Sequence, residues 1–566
     1  MATAASLLPG VDHERWKPSV NPWLIALSVI VPTFMEVLDT SIANVALNHI
    51  AGSMSASYSQ ATWVLTSYLI SNAVVLPLTA WLGNRFQRKR FLLSCIFLFT
   101  LSSLFCGLSV NLPMLLTMRV VQGIGGGALA PISQAILMES FPPSRQGAAQ
   151  ALFGLGVVVA PVVGPVLGGW LTDSYSWRWI FYINIPFGMF AMWAIQKTVE
   201  DPPWVVHSDP GPLDVMGFTA LSLWLGCQEV FLDKGQEEDW LSSRFIRVMA
   251  VLAVIGFVVF IYRELKAEKP MVELRIFRVR NFAVGTILIF LTSLLIYAIG
   301  LLTPQFLQQL MGYSSLAAGI ATSPLGLGAV LSMVLVGKLV SRIEPRNILA
   351  FGFLVFGVAA FRLSRISLDM APWTVFWPQV LAGSAMGFLF VPINVTGTAP
   401  LRRDQIGSAT GTLNLMRNVG GSVGIALVST FLARRSQVHQ NMMVQHLAVG
   451  NHLVMQRLHG IQSFVSLRVP ASGDGMTPAL AILYRILQQQ AHLLAFTDVY
   501  EGLMVVALGA VLFVYLLRKV KKGSEVPQVG SNPGLQDKKS AGSRELLTIR
   551  HIPGTEMHSH PQLAKK

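Results

Sequence analysis

The chain has 566 residues, of which 53% are hydrophobic and 12% charged, with a formal net charge of +14 and a mean hydropathy of +0.56. A water-soluble globule of this length lacks the polar surface to cover so much apolar side chain, so a bilayer is the solvent. The basic residues are spread over many short loops rather than gathered in one stripe, which excludes nucleic-acid binding as the source of the charge.

Runs of about 20 mostly apolar residues, long enough for an α-helix to cross the hydrocarbon core, recur fourteen times. They fall near residues 23–47, 62–82, 91–110, 112–138, 149–171, 179–196, 213–232 and 245–262, then 282–310, 316–340, 348–364, 373–395, 408–432 and 502–517. The fold class is an all-α polytopic membrane protein. Placing the amino terminus inside puts Arg15 and Lys17, Arg85, Arg88, Lys89 and Arg90, Arg145, the cluster between Arg263 and Arg280, Lys338, Arg342 and Arg346, Arg402 and Arg403, and Arg518 to Lys522 on the cytoplasmic side. The positive-inside rule then predicts a multi-pass protein of the cytoplasmic (inner) membrane with both termini cytoplasmic, and the even span count agrees.

No cleavable signal is evident in the first 20 residues. The residues after Lys522, rich in Gly, Ser, Pro and charge, are expected to form a disordered cytoplasmic tail. Cys95, Cys106 and Cys227 fall in spans without metal-ligand or redox spacing and are expected to be packing residues. Between about residues 436 and 497 lies a long outer loop in which His439, His446, His452 and His459 recur at near-sevenfold spacing. That spacing predicts one helical stripe, and a docking helix rather than a metal site.

Charge inside a span is costly and points to function. Asp39 lies in the first span, and Glu36, three residues earlier, shares its helix face. At about 1.5 Å per residue Asp39 sits roughly 24 Å, and Glu36 roughly 20 Å, from the inner side. Arg119 in the inward-running fourth span sits about 10 Å from the outer side of a roughly 30 Å core, at the same level. Burial and a neighbouring carboxylate favour the protonated form, whereas an arginine favours the ionised form, so a change in arginine distance or water access changes proton affinity. Asp39 is therefore the candidate proton carrier, Glu36 its modulator or a substrate ligand, and Arg119 the group that drives release. Arg417, near the midplane of the thirteenth span, should face a cavity or a partner. Asn44 and Gln122 are further candidates for the substrate cavity. The fifth span carries Pro161, Gly164, Pro165, Gly168 and Gly169, which suit close helix approach and bending where two halves hinge.

An internal repeat appears in the loops. The basic turns after the second span, Ala80 to Arg90, and after the tenth, Gly337 to Arg346, are equivalent if two six-helix halves flank an inserted pair of spans. Two parallel repeats are the architecture of major facilitator transporters. The predicted organisation is an amino-terminal segment 1–22, a first bundle 23–197, an inserted pair and loop 198–280, a second bundle 281–518 that includes the outer loop 436–497, and a tail 519–566.

Several blocks carry a more specific resemblance: Leu38-Asp39-Thr40-Ser41-Ile42-Ala43-Asn44-Val45-Ala46-Leu47 in the first span, Arg119-Val120-Val121-Gln122-Gly123-Ile124-Gly125-Gly126-Gly127 in the fourth, and Ala160-Pro161-Val162-Val163-Gly164-Pro165-Val166-Leu167-Gly168-Gly169 in the fifth. Trp177-Arg178-Trp179-Ile180-Phe181-Tyr182-Ile183-Asn184-Ile185-Pro186-Phe187-Gly188, Leu232 to Trp240 and Pro304 to Leu310 follow in order. From about residue 22 to 518 the chain resembles the fourteen-span drug:proton antiporters of the major facilitator superfamily, in the EmrB/QacA group and nearest its EmrB branch. The superfamily loop motif usually has glycine, aspartate and glycine where this chain has Ala80, Asn84 and Gln87. Arg85 and Arg88 remain there as gating or topology residues.

The resemblance implies proton-coupled export of drugs or other amphipathic toxic small molecules by alternating access, with no cofactor beyond the proton motive force. It also implies protons, membrane lipids and a small-molecule substrate as partners, together with an EmrA-type periplasmic adaptor and an outer-membrane channel. The alternatives are an exporter of one endogenous lipid or metabolite, and a receptor or scaffold that keeps the fold without transport. No phosphate-cradling GxxxxGK[ST] loop is present, and no nucleophile–base or metal spacing marks an enzyme.

Overall fold

The computed structural model describes residues 18–142, 145–206, 214–267, 274–340, 342–371, 373–402, 405–447, 451–468 and 476–518. Most of the expected amino-terminal segment and the expected tail lie outside them. Among the described residues there is no strand, and fourteen helices are long and apolar enough to cross a membrane. In chain order they are α1 (Pro22–Leu47), α2 (Gln60–Phe86), α3 (Arg88–Gly107), α4 (Leu112–Ser140), α5 (Gln146–Ser174), α6 (Trp179–Thr198), α7 (Val215–Lys234), α8 (Arg244–Lys266), α9 (Arg280–Gln309), α10 (Ala317–Leu339), α11 (Pro345–Leu363), α12 (Trp373–Thr398), α13 (Ile406–Gln445) and α14 (Met476–Val514). This is a multi-pass membrane protein.

Local chemistry sets several starts. Asn21 accepts from the Trp23 amide ahead of α1, with Pro22 in the first turn where no amide donor is needed. Ser57 and Gln60 form a reciprocal capping box at α2, and Asn111 accepts from Met114 N at α4. Two helices are locally interrupted: α2 tightens to a 3₁₀ turn at Leu76–Leu78, around Pro77, and α4 breaks near Gly127 between Leu112–Gly126 and Leu129–Ser140.

Packing repeats between the halves. In the first, α1 lies on α5 and α6, α2 on α4, and α3 on α4 and α6; in the second, α9 lies on α13 and α14, α10 on α12, and α11 on α12 and α14. The halves meet along α5 against α10 and along the second part of α4 against α13. Of the inserted pair, α7 packs on α2 and α13, and so touches both halves. Its partner α8 packs on α7, with Phe257 and Phe260 around Trp224. The arrangement is the major facilitator fold, two six-helix halves plus two inserted helices.

The outer-loop expectation needs correction. Much of 436–497 is helix, because α13 runs on to Gln445, α14 begins at Met476, and a separate helix spans His452–Arg468. Polar side chains hold the extended α13–α14 pair together. Arg435 Nε and His439 Nε2 both reach Asp498 Oδ2, at 2.5 and 2.7 Å, and Gln440 donates to the Tyr484 hydroxyl at 2.8 Å. The four histidines do not form one stripe: His439 is on α13, His446 caps its end, and His452 and His459 lie on the separate helix. No cluster able to hold a metal occurs among the described residues.

Candidate functional site

Asp39 and Arg119 meet, as their depths predict. Arg119 Nη1 lies 2.6 Å from Asp39 Oδ2, and both side chains are buried. The Gln122 amide donates to Asp39 Oδ1 at 3.0 Å and the Asn184 amide donates to the same oxygen at 2.7 Å. Three donors thus converge on one buried carboxyl group and satisfy its oxygens from within the protein. Arg119 is fixed in turn: its Nε donates to the Val64 carbonyl at 2.9 Å, its Nη1 donates to Gln122 Oε1 at 2.8 Å, and its guanidinium carbon stacks 4.3 Å from the Tyr68 ring centre. The site draws on α1, α2, α4 and α6, all from the first half.

This geometry corrects the place of Gln122. Rather than lining a substrate cavity, its amide is enclosed between Asp39 and Arg119, because it alone on that turn can donate a hydrogen bond to the acid and accept one from the guanidinium. Asn44 lies exposed on α1, on the arc between Glu36, which meets α2, and Ser41, which meets α5.

Glu36 occupies a different position. Its Oε1 accepts from the Asn72 amide at 3.0 Å, and the Ala130 backbone lies beside the same carboxyl group. Asn418 of α13 donates to Asn72 Oδ1 at 3.4 Å, and the Arg417 guanidinium lies within Coulombic range of Glu36. Arg417 is on α13, so this electrostatic interaction crosses the boundary between the halves. Nearer the basic loops, Gln134 of α4 donates to Gln150 and Asn394 at 3.2 and 3.0 Å and accepts from Asn414 at 2.7 Å, a neutral amide layer that joins both halves.

In the fifth span the glycines divide. A side chain at Gly164 would meet Ser41 Oγ at 2.3 Å, and one at Gly168 would meet Ile42 at 3.0 Å, so both close α5 onto α1. Gly169 faces open space, which removes it from the packing set: one residue on, it turns about 100° away from α1. Pro165 has no amide proton for the Pro161 carbonyl, and Ser41 Oγ supplies one at 3.4 Å. On its other side Pro165 lies against Gly319 of α10.

The basic loop also divides. Arg85 is exposed, whereas Arg88 is buried and ion-paired with buried Glu139, and its guanidinium lies 3.1 Å from where a side chain at Gly407 of α13 would begin. Gln87 stands between them at φ +67°, a conformation that favours glycine, the residue usual at this place in the superfamily motif.

The comparisons with known proteins agree with this architecture. The family model described as Major Facilitator Superfamily matches residues 29–425. The chain belongs to the Major Facilitator Superfamily. It is 36% identical over 445 residues to the multidrug export protein EmrB of Haemophilus influenzae, covering 78% of this chain and 86% of the relative. It is 33% identical over 507 residues to the fatty acid resistance protein FarB of Neisseria gonorrhoeae, covering 90% and 97%. Among solved structures, a double-tryptophan XylE mutant matches with TM-score 0.57 at 15% identity, covering 89% of this chain and 97% of that one. The human organic anion transporter MFSD10 matches with TM-score 0.53 at 14% identity, covering 88% and 99%. At such identities these structures speak for the fold alone. The family is one of transporters, so the protein is a transporter rather than an enzyme.

Several contacts escape the sequence reading. Asn184, Gln134, Asn394 and Asn414 are neutral amides, which carry no sequence signal as strong as a buried charge. Glu139 lies in the last turn of its helix, just past the expected span, so its burial against Arg88 is hidden. Glu229 is the clearest omission, an acid inside the seventh span that the rule applied to Asp39 would have flagged.

Proposed function

We propose that the protein is a proton-coupled antiporter that exports drugs or other amphipathic toxic small molecules across the cytoplasmic membrane by alternating access. The observation that carries this reading is the Asp39 carboxylate, buried and 2.6 Å from Arg119. In this arrangement Arg119, Gln122 and Asn184 each donate a hydrogen bond to the Asp39 carboxyl group. Movement of α4 relative to α1 lengthens the pair and lets the acid take up the next proton. Glu36 senses the second half through Arg417, and Arg417 and Asn44 are the candidates to meet substrate, Asn44 toward the outer end of its path. Arg88 and Pro165 are the gating contacts, since each lies against the second half.

The energetics suffice. One proton moving down about 150 mV releases roughly 3.5 kcal/mol, and one pH unit adds about 1.4 kcal/mol. At about 1.4 kcal/mol per tenfold ratio, one proton sustains roughly a thousandfold gradient of a neutral substrate. The proton motive force is then the sole energy source. The relatives named for multidrug export support the substrate class, while the longer match to FarB favours a second reading, export of a specific lipid. Both termini are cytoplasmic in this reading. The outer extension of α13 and α14 is the surface for an EmrA-type adaptor leading to an outer-membrane channel.

The test is proton efflux from proteoliposomes that hold a pH gradient, with lipophilic cations, neutral drugs or long-chain fatty acids added. Wild-type protein should release protons when a substrate is added, and Asp39→Asn should not at equal incorporation. An active mutant would remove Asp39 as carrier. Silence of both proteins, with and without an added adaptor, would favour the receptor or scaffold alternative.

A further inference from the structure

The inserted helix α7 carries acidic side chains toward both halves. Asp233 accepts from Thr66 on α2, and Lys234 donates to Thr62 on the same helix and to Glu237 at 2.9 Å. One turn away, buried Glu229 points at the other half, where Ser422 Oγ on α13 lies 3.0 Å from Oε1 and 3.0 Å from Oε2. A serine hydroxyl has one proton, which an ionised carboxylate could take only as a bifurcated bond shared between its two oxygens. A protonated carboxyl removes the sharing. Its O–H donates to Ser422 Oγ, while the Ser422 O–H donates to the other carboxyl oxygen, and each short contact then has its own proton.

The surroundings agree. From α7 itself the charge that acts on Glu229 is Asp233, another acid, while the Lys234 ammonium is held by Thr62 and Glu237. From α13 the nearest cation in sequence, Arg417, lies within range of Glu36. From α2 come the hydroxyls of Thr62 and Thr66, and Ile70 beside Gly226. Antiparallel α8, whose Gly256 lies against Ala220 and Trp224, brings the residues around Met249 to this level, and Arg247, the nearest basic residue there, is exposed. An ionised Glu229 would thus sit buried and without a cation, a strongly disfavoured state.

We propose that Glu229 is a second proton-binding site, which holds a proton while α7 is seated on α13 and gives it up to water when α13 moves away. Its role in transport rests on the antiporter reading above, whereas the site itself does not. The inserted pair then reports the position of the second half, because Asp233 and Lys234 keep α7 on α2 while Glu229 makes and breaks with α13.

The test is infrared spectroscopy of the full-length protein in nanodiscs, titrated from about pH 5 to about pH 9, reading the C=O stretch of protonated carboxyl groups. Wild type should show a buried protonated-carboxyl band, Glu229→Gln should lose it, and Asp39→Asn should keep it. Ser422→Ala should keep the band but move its frequency, which a merely structural Glu229 would not do, and it carries the test if Glu229→Gln does not fold. A Glu229→Gln spectrum identical to wild type, or a Ser422→Ala band that does not move, would overturn the proposal. Failure of the antiporter reading looks different: the Glu229 band is present, yet substrate moves no protons in wild type.

Discussion

The two halves share a packing plan and differ in where they place charge. In each, a glycine lets the fifth helix close on the first: Gly164 of α5 against Ser41, and Gly420 of α13, where a side chain would lie 2.5 Å from the Phe290 carbonyl of α9. The first half buries Asp39 and Arg119 in its interior. The second half has hydroxyl contacts such as Thr303 with Tyr500 at 3.2 Å, and it carries Arg417 on α13, whose electrostatic interaction with Glu36 crosses the boundary. Proton chemistry is therefore expected inside the first half, with the second half answering through contacts made or broken at its surface.

The strongest way to break this contrast is to remove one member of the buried pair. Arg119→Ala leaves Asp39 without its cation, and a loss of about 3–5 kcal/mol is expected, read as a fall in thermal unfolding temperature in detergent. Thr303→Ala in the second half should cost about 1 kcal/mol. Next come the shared glycines. Gly164→Val and Gly420→Val should each destabilise by about 1–3 kcal/mol, while Gly169→Ala should stay within about 0.5 kcal/mol. Equal costs in the two halves would sharpen the shared plan.

Smaller effects probe the boundary. Glu36→Gln and Arg417→Gln should be non-additive by about 0.5–3 kcal/mol in a double-mutant cycle on transport rate; strict additivity would separate the two residues. Smallest is Glu200, just outside α6, whose carboxyl is held below its ordinary value of 4.5 by hydrogen bonds from the Ser19 hydroxyl and amide. With the folded value depressed, its contribution is present above about pH 4.5 and lost as pH falls below it. Glu200→Gln should thus change stability at neutral pH by less than about 0.5 kcal/mol and at about pH 3 not at all.

Much of this was legible in the sequence, for a physical reason. A buried charge is so costly that rise per residue and span direction alone bring Asp39 and Arg119 to one level. Span count and architecture follow from apolar run length. What stayed hidden is cheap in sequence terms: Gln122 looks like any polar residue facing a cavity until its two partners are seen, and Gly169 reads like Gly164 until the helix face is fixed. The extension of α13 and α14 was missed because polar contacts such as Arg435 to Asp498 sustain a helix where hydropathy has already ended.

The most direct test is to compare exchange with uphill movement in Asp39→Asn proteoliposomes. The amide mimics a neutral, permanently protonated side chain. The expected result is substrate exchange at near wild-type rate with no proton-driven accumulation, the ratio falling from up to about a thousandfold to unity. Accumulation that persists in the mutant, or exchange lost together with it in a correctly folded protein, would contradict the assignment of Asp39 as the proton carrier.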